Sequence, residues 1–585
     1  MATPLRSDGA SRTIPEGALF EGTSADSPGT ARGQSPPPLR EEVCDLVFKL
    51  ENIARAAIVE RVATDYKGRT GSFFSCVHSI NRGGWTALTR ASAEGRTEDV
   101  SFLLTLPIDV NEPDGEGRVA VIVAAEGGYT EVMKLLHGYG ADLHLVDRGG
   151  WMALTRASFK DRRESVRFLL TSRVGVDAHD RDGAGRIAVV VAAEEGYPEV
   201  MGVLCECGAD PNHTDRDGWT ALTRASFKGR GESVRFLLTS RVGVDADDRD
   251  GAGRVPIVEA AGEGHVKVME CLHEYGAMLD RVDGDGWTAL TRASVEGQKE
   301  SVRFLLNRRI GANDRDGGGR VAVVVAASRG HVEVVQLLCD RGADMYLADR
   351  RIGWTAFTRA SGGGFVEVVA HLLDRGYNVN RPDQGGGVAV VQAATWEYTQ
   401  VVELLCDRGA DMYLADRGGW TAFTRASSWG RSRVVASLLA RGCDPDRPDG
   451  KGRVAIVEAS DHGCTDVVAL LLSQGVDTDQ ADKKGRTALE LASFHSRTVS
   501  FRRRCQEYDT IVRLINFRSR SAVVRYCELM GRYSYLTEEE ENKRTRPGEG
   551  TVAVGCLRSE SAEPISHNLP ARQVADAKEG RGDES

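Results

Sequence analysis

Three sets of residues in this chain have types and spacings that could support chemistry, and the first is a glycine pattern. Gly183-Ala-Gly185-Arg-Ile-Ala188 matches the G-x-G-x-x-A sequence of loops that bind dinucleotides. Such a loop needs a hydrophobic strand directly before it, because the strand aims the N-terminus of the following helix at the pyrophosphate. The preceding residues are Asp180-Arg-Asp182, which are typical of a turn. The glycine pattern therefore does not predict a nucleotide site.

An acidic cluster is the second set. Asp247-Asp-Arg-Asp250-Gly251 resembles the start of an EF-hand calcium loop, in which a glycine occupies the sixth position. With Gly251 at that position, Ala246 falls at the first position and Ile257 at the twelfth. Both positions require a carboxylate ligand, so the cluster does not predict a calcium site.

The third set is a column of histidines and cysteines that recurs in every second unit of the repeat described below: His137, Cys205, His273, Cys339 and Cys406. These residue types suit zinc, but stacked helices lie about 8–10 Å apart, so members two units apart are separated by roughly 16–20 Å. Zinc ligands must all lie about 2.0–2.3 Å from one ion, and the column is interpreted as packing residues. No Ser/His/Asp or Cys/His set and no G-x-S-x-G motif is present, so the sequence predicts neither an enzyme nor a cofactor.

Composition limits the remaining classes of function. The 585 residues are 41% hydrophobic and carry a formal net charge of −10, which disfavours a uniformly basic nucleic-acid binder. The twelve cysteines are scattered, as is typical of reduced thiols inside the cell. Residues 1–20 have no apolar signal region, and no stretch of 18 apolar residues occurs. We therefore expect no membrane span and a cytoplasmic location, with a nuclear one possible.

Comparison of the sequence with itself reveals an internal repeat, and the units of this repeat must position any functional residue. The nine residues Gly-Trp-Thr-Ala-Leu-Thr-Arg-Ala-Ser occur at 218–226 and again at 286–294, and they alternate with a second type of unit such as 319–327. The period between the leading glycines is 33 to 35 residues, and thirteen units follow one another. The leading glycines are Gly84, Gly117, Gly150, Gly185, Gly218, Gly253, Gly286, Gly319, Gly353, Gly386, Gly419, Gly452 and Gly485.

Each unit has the pattern of two short helices. Val332, Val335 and Leu338 have helical spacing, and Gly342 stands where a helix end needs a left-handed residue. The pair Ala326-Ala327 is small enough to let two helices approach closely. One such pair cannot bury its apolar stripe alone, so the pattern predicts a stack of units with contacts between neighbours.

A 33-residue period with this content resembles the ankyrin repeat. In 319–349, Gly319 opens the turn, Gly330-His331 separates the helices and Gly342-Ala-Asp344 closes the unit. The resemblance covers residues 84–517 and implies an all-α repeat protein, an ankyrin-type helix–turn–helix solenoid with short hairpin-like loops. The usual Thr-Pro-Leu-His is replaced by Thr-Ala-Leu-Thr or Val-Ala-Val-Val, and Asp161 and Glu397 stand where the glycine between the helices is expected.

The flanking segments have other compositions. Residues 1–40 and 537–585 are predicted to be disordered tails. Residues 41–83 are predicted to form an N-terminal helical cap and connector, and residues 518–536 a C-terminal cap helix. Residues 508–515 are predicted to be the second helix of the last repeat. The span 497–532 has nine arginines and three acidic residues. It is either a site for an anionic partner or for nuclear targeting, or a solvated polar cap.

The resemblance implies that partners dock on a concave face lined by the turns and first helices. Tryptophan follows the turn glycine in one type of unit, and arginine, or Gly387 in one case, follows it in the other. We expect these side chains to form a ladder of cation–π contacts, whose role is either structural or partner binding. The candidate residues are Trp85, Trp151, Trp219, Trp287, Trp354 and Trp420, together with Arg359 and Arg425 of a second arginine column on the first helices.

Trp396 and Trp429 are the strongest candidates for the main partner site. Both stand ten residues after the turn glycine in adjacent repeats, in a column that is mostly polar elsewhere. Exposed tryptophans there would mark a contact surface. The alternative is that the two rings fold back on the neighbouring repeat.

Taken together, the sequence predicts a non-catalytic intracellular scaffold that binds one or more proteins, without a metal or a cofactor. The alternative hypothesis is a binder of an acidic, phosphorylated or nucleic-acid partner through the arginine columns and the basic C-terminal cap, although the net charge makes nucleic acid the least favoured of these. A steep dependence of binding on salt would favour the alternative.

Overall fold

The computed structural model describes residues 84–106, 108–171, 175–240, 243–498 and 502–517. The predicted tails 1–40 and 537–585 and the predicted caps 41–83 and 518–536 lie outside these residues. The described residues form twenty-six α-helices and three isolated β-bridges, with no extended strand among them. The predicted all-α ankyrin-type repeat solenoid is confirmed, and two helices follow each of the thirteen predicted turn glycines.

The chain divides into two compact units, Met1–Ala455 and Ile456–Ser585. The helices of the first unit are α1 (Ala87–Ala93), α2 (Thr97–Leu104), α3 (Ala120–Gly127), α4 (Thr130–Gly138), α5 (Ala153–Phe159), α6 (Arg163–Thr171), α7 (Ala188–Glu195), α8 (Pro198–Glu206), α9 (Ala221–Phe227), α10 (Gly231–Thr239), α11 (Pro256–Gly262), α12 (Val266–Glu274), α13 (Ala289–Val295), α14 (Lys299–Asn307), α15 (Ala322–Ala327), α16 (Val332–Asp340), α17 (Ala356–Gly363), α18 (Val366–Asp374), α19 (Ala389–Thr395), α20 (Thr399–Asp407), α21 (Ala422–Ser428) and α22 (Ser432–Ala440). The remaining helices are α23 (Ala455–Asp461), which begins at the last residue of the first unit, α24 (Thr465–Ser473), α25 (Ala488–Thr498) and α26 (Arg502–Asn516).

The first helix begins at a threonine pair in five of the six tryptophan-type repeats, and at Met152 in the other. In α9 the Thr220 side chain accepts from the Thr223 N–H at 3.3 Å, and the Thr220 N–H donates to the Thr223 hydroxyl at 3.2 Å. This reciprocal capping box satisfies two backbone donors that a helix start leaves free. The other type of repeat starts at a valine or isoleucine such as Ile187, which makes no side-chain cap, and its short apolar helix is almost wholly buried.

Packing in the first unit runs between consecutive repeats. The first helix α9 packs against α7 and α11, the first helices of the repeats before and after it, and against α10 of its own repeat. The buried side chains include Leu222, Val234 and Leu237, which are at most 2% exposed. The first helices and the turns before them are thereby held in a fixed register from one repeat to the next.

Three residues that are not glycine adopt left-handed backbone angles in the described chain. Asp161 has φ 55° and Glu397 has φ 67°, whereas the corresponding Gly229 has φ 70°. The positions of Asp161 and Glu397 confirm the predicted register of the turn between the two helices, and the third residue, Arg309 with φ 68°, follows the end of α14. A side chain at such an angle costs roughly 1–2 kcal/mol because its Cβ crowds the backbone.

The last helix that the structure describes in the second unit is longer than the sequence indicated. The predicted last helix, residues 508–515, extends back to Arg502 in α26. Tyr508 stacks on His495 with ring centroids 5.1 Å apart and donates to the Asp461 carbonyl at 2.9 Å. The His495 ring in turn contacts the Asp461 carboxylate at 2.8 Å. These contacts hold α26 against α25 and α23.

No helix in the described part of the chain combines the length and the apolar character that crossing a membrane requires.

Candidate partner-binding surface

Five of the six tryptophans that follow the turn glycines are covered by arginines of the next repeat. The guanidinium carbon of Arg254 lies 3.4 Å from the centroid of the Trp219 ring, well within the distance of a strong cation–π contact. The same pairing joins Trp85 to Arg118, Trp151 to Arg186 and Trp287 to Arg320 at 3.4 Å, and Trp420 to Arg453 at 3.3 Å.

A buried aspartate holds each of these arginines in place. The Asp250 Oδ2 atom accepts from Arg254 Nε at 2.7 Å and from the Thr223 hydroxyl at 3.0 Å. Its Oδ1 atom accepts from the backbone N–H groups of Ala252 and Arg254 at 3.0 and 2.9 Å. The Asp250 side chain has no exposed surface. We call this set of Trp219, Thr223, Asp250 and Arg254 a clasp.

The clasp recurs at five junctions between repeats. Its threonine–aspartate hydrogen bonds measure 3.0 to 3.3 Å and its arginine–aspartate bonds 2.6 to 2.8 Å. The other four clasps are Trp85–Thr89–Asp114–Arg118, Trp151–Thr155–Asp182–Arg186, Trp287–Thr291–Asp316–Arg320 and Trp420–Thr424–Asp449–Arg453. Each clasp joins a tryptophan-type repeat to the arginine-type repeat after it.

The ladder predicted from the sequence is therefore interrupted. Arg254 covers Trp219, the tryptophan before it, and in the described chain no cation–π contact joins Arg254 to Trp287 after it. The predicted cation–π contacts between tryptophans and arginines are confirmed at five junctions, and each of these arginines covers the tryptophan before it. The reason is that the aspartate of the same turn pulls the guanidinium back toward the preceding repeat.

The second arginine column lies on the first helices. Arg156 contacts Glu126 at 3.1 Å and Arg224 contacts Glu194 at 2.9 Å. Arg359 and Arg425 have no carboxylate within 4.0 Å among the described residues. Burial lowers the pKa of both guanidinium groups, and Asp349 and Asp416 partly oppose this from a longer distance. Two half-buried cations in repeats nine and eleven thus lack an adjacent counter-ion.

Trp396 and Trp429 lie at the ends of α19 and α21, beside the turn between the two helices. Their side chains are 53% and 49% exposed, and their ring centroids are 6.5 Å apart. Arg425 lies 5.8 Å from the Trp429 ring and 4.8 Å from the Trp420 ring. Trp396, Trp420, Arg425 and Trp429 therefore form one aromatic and cationic strip, which we call the tryptophan patch.

The other repeats use the same column differently. Lys160 and Lys228, which correspond to the two exposed tryptophans, form ion pairs with Glu126 and Glu194. Trp354 is not part of the tryptophan patch. The guanidinium carbon of Arg359 lies 4.5 Å from the centroid of the Trp354 ring. Trp85, Trp151, Trp219 and Trp287 are each engaged in a clasp. Of the sequence-predicted candidates, the structure brings together Trp396, Trp420, Trp429 and Arg425.

Groups with displaced pKa values are scattered through the described residues. Burial raises the pKa of Glu259 to about 7 and that of the Cys205 and Cys443 thiols to about 11. Thiols with raised pKa values are poor nucleophiles at neutral pH. Within the ranges that the structure describes, no three or more His, Cys, Asp or Glu residues are grouped as metal ligands. The described surface offers aromatic faces and guanidinium groups, which suit it to binding.

Sequence reasoning missed the aspartates of the clasps. An aspartate three residues before the turn glycine recurs along the array, as at Asp182 and Asp250, and this regularity was visible in the sequence. The sequence pattern around these aspartates was interpreted only as a failed calcium loop or as a turn before a glycine pattern. Its role depends on a threonine 25 or 27 residues earlier in the chain, and that contact requires the stacked fold.

Comparison with known proteins identifies the repeat. A family model described as "Ankyrin repeats (3 copies)" matches residues 174–250, 241–316, 310–383 and 428–501, and one described as "Ankyrin repeats (many copies)" matches residues 103–157. Together these matches span more than half of the chain.

Two groups of relatives are similar over shorter stretches. The chain is 37% identical over 128 residues to the ankyrin repeat and KH domain-containing protein mask-1 of Caenorhabditis elegans, which is 22% of this chain and 5% of that protein. It is 36% identical over 100 residues to the related mask protein of Drosophila melanogaster, covering 17% of this chain and only 2% of that protein. It is also 34% identical over 85 residues to the human Notch-regulated ankyrin repeat-containing protein, which is 14% of this chain and 75% of that protein. With the family models matching along the array and the helix pairs in register, the chain belongs to the ankyrin-repeat family.

Proposed function

We propose that this protein is a non-catalytic scaffold that binds another protein, and that the tryptophan patch of repeats ten and eleven is its main docking surface. Ankyrin repeats are generally protein-interaction modules. The observation that carries the proposal is the pair of half-exposed indole rings of Trp396 and Trp429, 6.5 Å apart. Tryptophan and arginine are the residues most enriched at binding hot spots.

The exposed rings contribute little to folding where they lie. Trp396 and Trp429 each retain about half of their surface in solvent, so about half of the apolar area that could stabilise the array remains unburied. Corresponding positions in two other repeats hold Lys160 and Lys228, which make ion pairs. Exposed apolar area of this kind on a water-exposed face is typical of a contact surface.

The test is a comparison of two double variants of the full chain. Trp396→Ala with Trp429→Ala should weaken binding of captured partner proteins by about 30-fold or more, which corresponds to ~2 kcal/mol, the hot-spot scale. The matched control is Glu263→Ala with Glu296→Ala, which changes two exposed residues of the same column in adjacent repeats. Binding that is unchanged in the tryptophan variant, together with a lower melting temperature, would show that the rings are structural.

A second candidate is a partner with an acidic or phosphorylated segment. The observation that favours it is the absence of an ion-paired carboxylate beside Arg359 and Arg425 in the described chain. The clasp arginines do not support it, because their Nε atoms are engaged by buried aspartates. Arg359→Gln with Arg425→Gln should then abolish binding and flatten its salt dependence. Shallow salt dependence in the unchanged protein would exclude this candidate.

A cytoplasmic or nuclear location is part of the proposal. Seven cysteines whose side chains the structure describes are free thiols, which fits a reducing compartment. Imaging of a fluorescent fusion of the full chain, with separate cytoplasmic and nuclear markers, is the direct test.

A further inference from the structure

The junction between repeats nine and ten lacks a clasp although its framework is present. Trp354 follows the turn glycine Gly353 as in the other tryptophan-type repeats, but Gly387 stands where the next repeat should carry the arginine. At the five clasped junctions a guanidinium carbon lies 3.3 to 3.4 Å from the tryptophan centroid. At Trp354 the nearest described guanidinium is that of Arg359, at 4.5 Å.

Two hydrogen bonds within the unclasped turn match those of a clasp. The Asp383 N–H donates to the Gly387 carbonyl at 2.9 Å, and the Asp250 N–H donates to the Arg254 carbonyl at 3.1 Å. The Gly387 N–H donates to the Asp383 Oδ1 atom, just as the Arg254 N–H donates to the Asp250 Oδ1 atom. The turn is thus built to present an aspartate, and the arginine side chain that would meet it is missing.

Asp383 is left with an unused acceptor in a buried place. It is 7% exposed, and its Oδ2 atom has no hydrogen-bonding partner among the described residues. The Thr358 hydroxyl is near enough to favour the charged carboxylate, but it does not form the hydrogen bond that the threonines of the five clasps make. Burial raises the pKa of Asp383, and the Gly387 and Gly385 N–H groups oppose this. A buried acceptor without a donor costs roughly 1–3 kcal/mol.

We infer that this junction is a binding site for an arginine side chain supplied by a partner protein. The partner's guanidinium group stacks on Trp354 and donates to the Asp383 Oδ2 atom, as Arg254 does toward Trp219 and Asp250 within the chain. The planar guanidinium suits both contacts, since it stacks on an aromatic face and carries its donors in a rigid fork. A lysine ammonium cannot make the two contacts in the same way.

The neighbouring side chains are compatible with this occupant. Arg359 does not occupy the place that a clasp arginine would take over Trp354. Its counterparts Arg156, Arg224 and Arg425 lie 4.8 to 5.0 Å from their tryptophans, and in those repeats a second guanidinium sits closer to the ring. The Ile352 carbonyl lies against the turn at Gly385, and the Ile352 side chain is 50% exposed. The exposed Ile352 side chain offers apolar surface to the methylene stem of an incoming arginine. The inference does not depend on the tryptophan patch, since neither Trp396 nor Trp429 belongs to this site.

The test uses the full chain labelled with 5-fluorotryptophan and followed by fluorine NMR. The chain has eight tryptophans, and the Trp354→Phe variant assigns the Trp354 signal. Addition of N-acetyl-arginine methylamide should shift that signal in a saturable way, and the signal of the already covered Trp219 should stay in place. The corresponding lysine derivative should need at least a tenfold higher concentration.

Two variants of one residue make the test specific. Gly387→Arg supplies an internal guanidinium and should abolish the response to the arginine derivative, whereas Gly387→Ala should retain it. A Cβ atom at residue 387 would lie 2.6 Å from the Asp383 Oδ2 atom, which is the end of a side chain that can rotate back as in a clasp. Asp383→Asn should also lose the response while its far-ultraviolet circular dichroism is unchanged. No shift of the Trp354 signal, equal shifts with the lysine derivative, or a full response in Gly387→Arg would each overturn the inference.

Discussion

Among single residues, the aspartates of the clasps combine burial with full hydrogen bonding. Asp250 has no exposed side-chain surface and accepts four hydrogen bonds, one of them from a cation. A buried carboxylate is tolerated only when it is paired in this way. The arginine is in turn held over the Trp219 ring, so the clasp links an ion pair to an aromatic contact across two repeats.

Replacing the clasp aspartate Asp250 should therefore lower the free energy of unfolding far more than replacing Asp383, which has no arginine partner. Asp250→Ala leaves Arg254 and two backbone N–H groups without an acceptor, and we expect a loss of about 3 kcal/mol in the free energy of unfolding. Asp383→Ala removes only the acceptor of backbone N–H groups, and a loss of about 1 kcal/mol is expected. Urea denaturation followed by circular dichroism measures both. Equal losses would contradict the role assigned to the clasp.

Glu259 provides a test of burial through pH. It is 7% exposed in α11, and burial raises its pKa to about 7 from the usual 4.5, while Arg292 and Arg254 oppose the shift and Asp283 and Asp250 add to it. The folded protein thus favours the neutral acid. Its contribution to stability is fully present below pH 4.5 and is lost as the pH rises to about 7, by up to about 3 kcal/mol.

The substitution Glu259→Gln should remove that loss. We expect the variant to be more stable than the unchanged protein at pH 8 and nearly equal to it at pH 4.5, because glutamine is neutral at both values. Denaturation at the two pH values measures the difference. Glu263→Gln, at an exposed position of the same repeat, is the control and should show no such crossover.

At the scale of the elements, local sequence signals predicted most of what is observed. The glycine period located every turn, and the spacing of Val332, Val335 and Leu338 located a second helix. The start of α26 was misplaced by six residues, since Tyr508 was predicted as the first residue and Arg502 is observed. Three consecutive arginines at 502–504 give no apolar periodicity, although arginine is a good helix former. The contacts of Tyr508 with His495 and Asp461, which hold this helix in the structure, join residues that the sequence pattern does not relate.

A glycine in place of Glu397 should stabilise the turn between the two helices of repeat ten. Glu397 holds a left-handed φ of 67°, where its Cβ is strained. Glu397→Gly removes the strain and should raise the free energy of unfolding by about 0.5–1 kcal/mol, after allowance for the entropy that glycine adds to the unfolded chain. Its ion pair with Arg431 is 3.6 Å long and partly exposed, so its loss should matter little. Glu397→Ala loses the same ion pair but keeps the Cβ atom, and should give no gain in denaturant titrations.

The whole first unit is held together by contacts between consecutive repeats. First helices pack on first helices of adjacent repeats, as α9 does on α7 and α11, and each clasp spans one junction. The sequence predicted this arrangement because its period is unbroken. It could not predict the unpaired Asp383, since Gly387 is a single exception in an arginine column. That exception gains meaning only when the fold places the missing guanidinium between Trp354 and Asp383.

Repeats that share no contacts should be energetically independent of one another. This independence predicts how far along the array the loss of one clasp lowers local stability. Asp250→Ala opens the clasp between repeats five and six, and a solenoid with contacts only between neighbours transmits that loss through adjacent interfaces. Native-state hydrogen exchange should show faster exchange in α9, α11 and the helices beside them. Exchange in α1 and α17, several repeats away on either side, should stay within about twofold of the unchanged protein, because local opening there does not involve the broken junction. The exposed variant Glu263→Gln is the control for changes unrelated to the clasp. A uniform acceleration along residues 84–455 would show instead that the first unit unfolds as one cooperative block, and the treatment of each clasp as a local link would then be wrong.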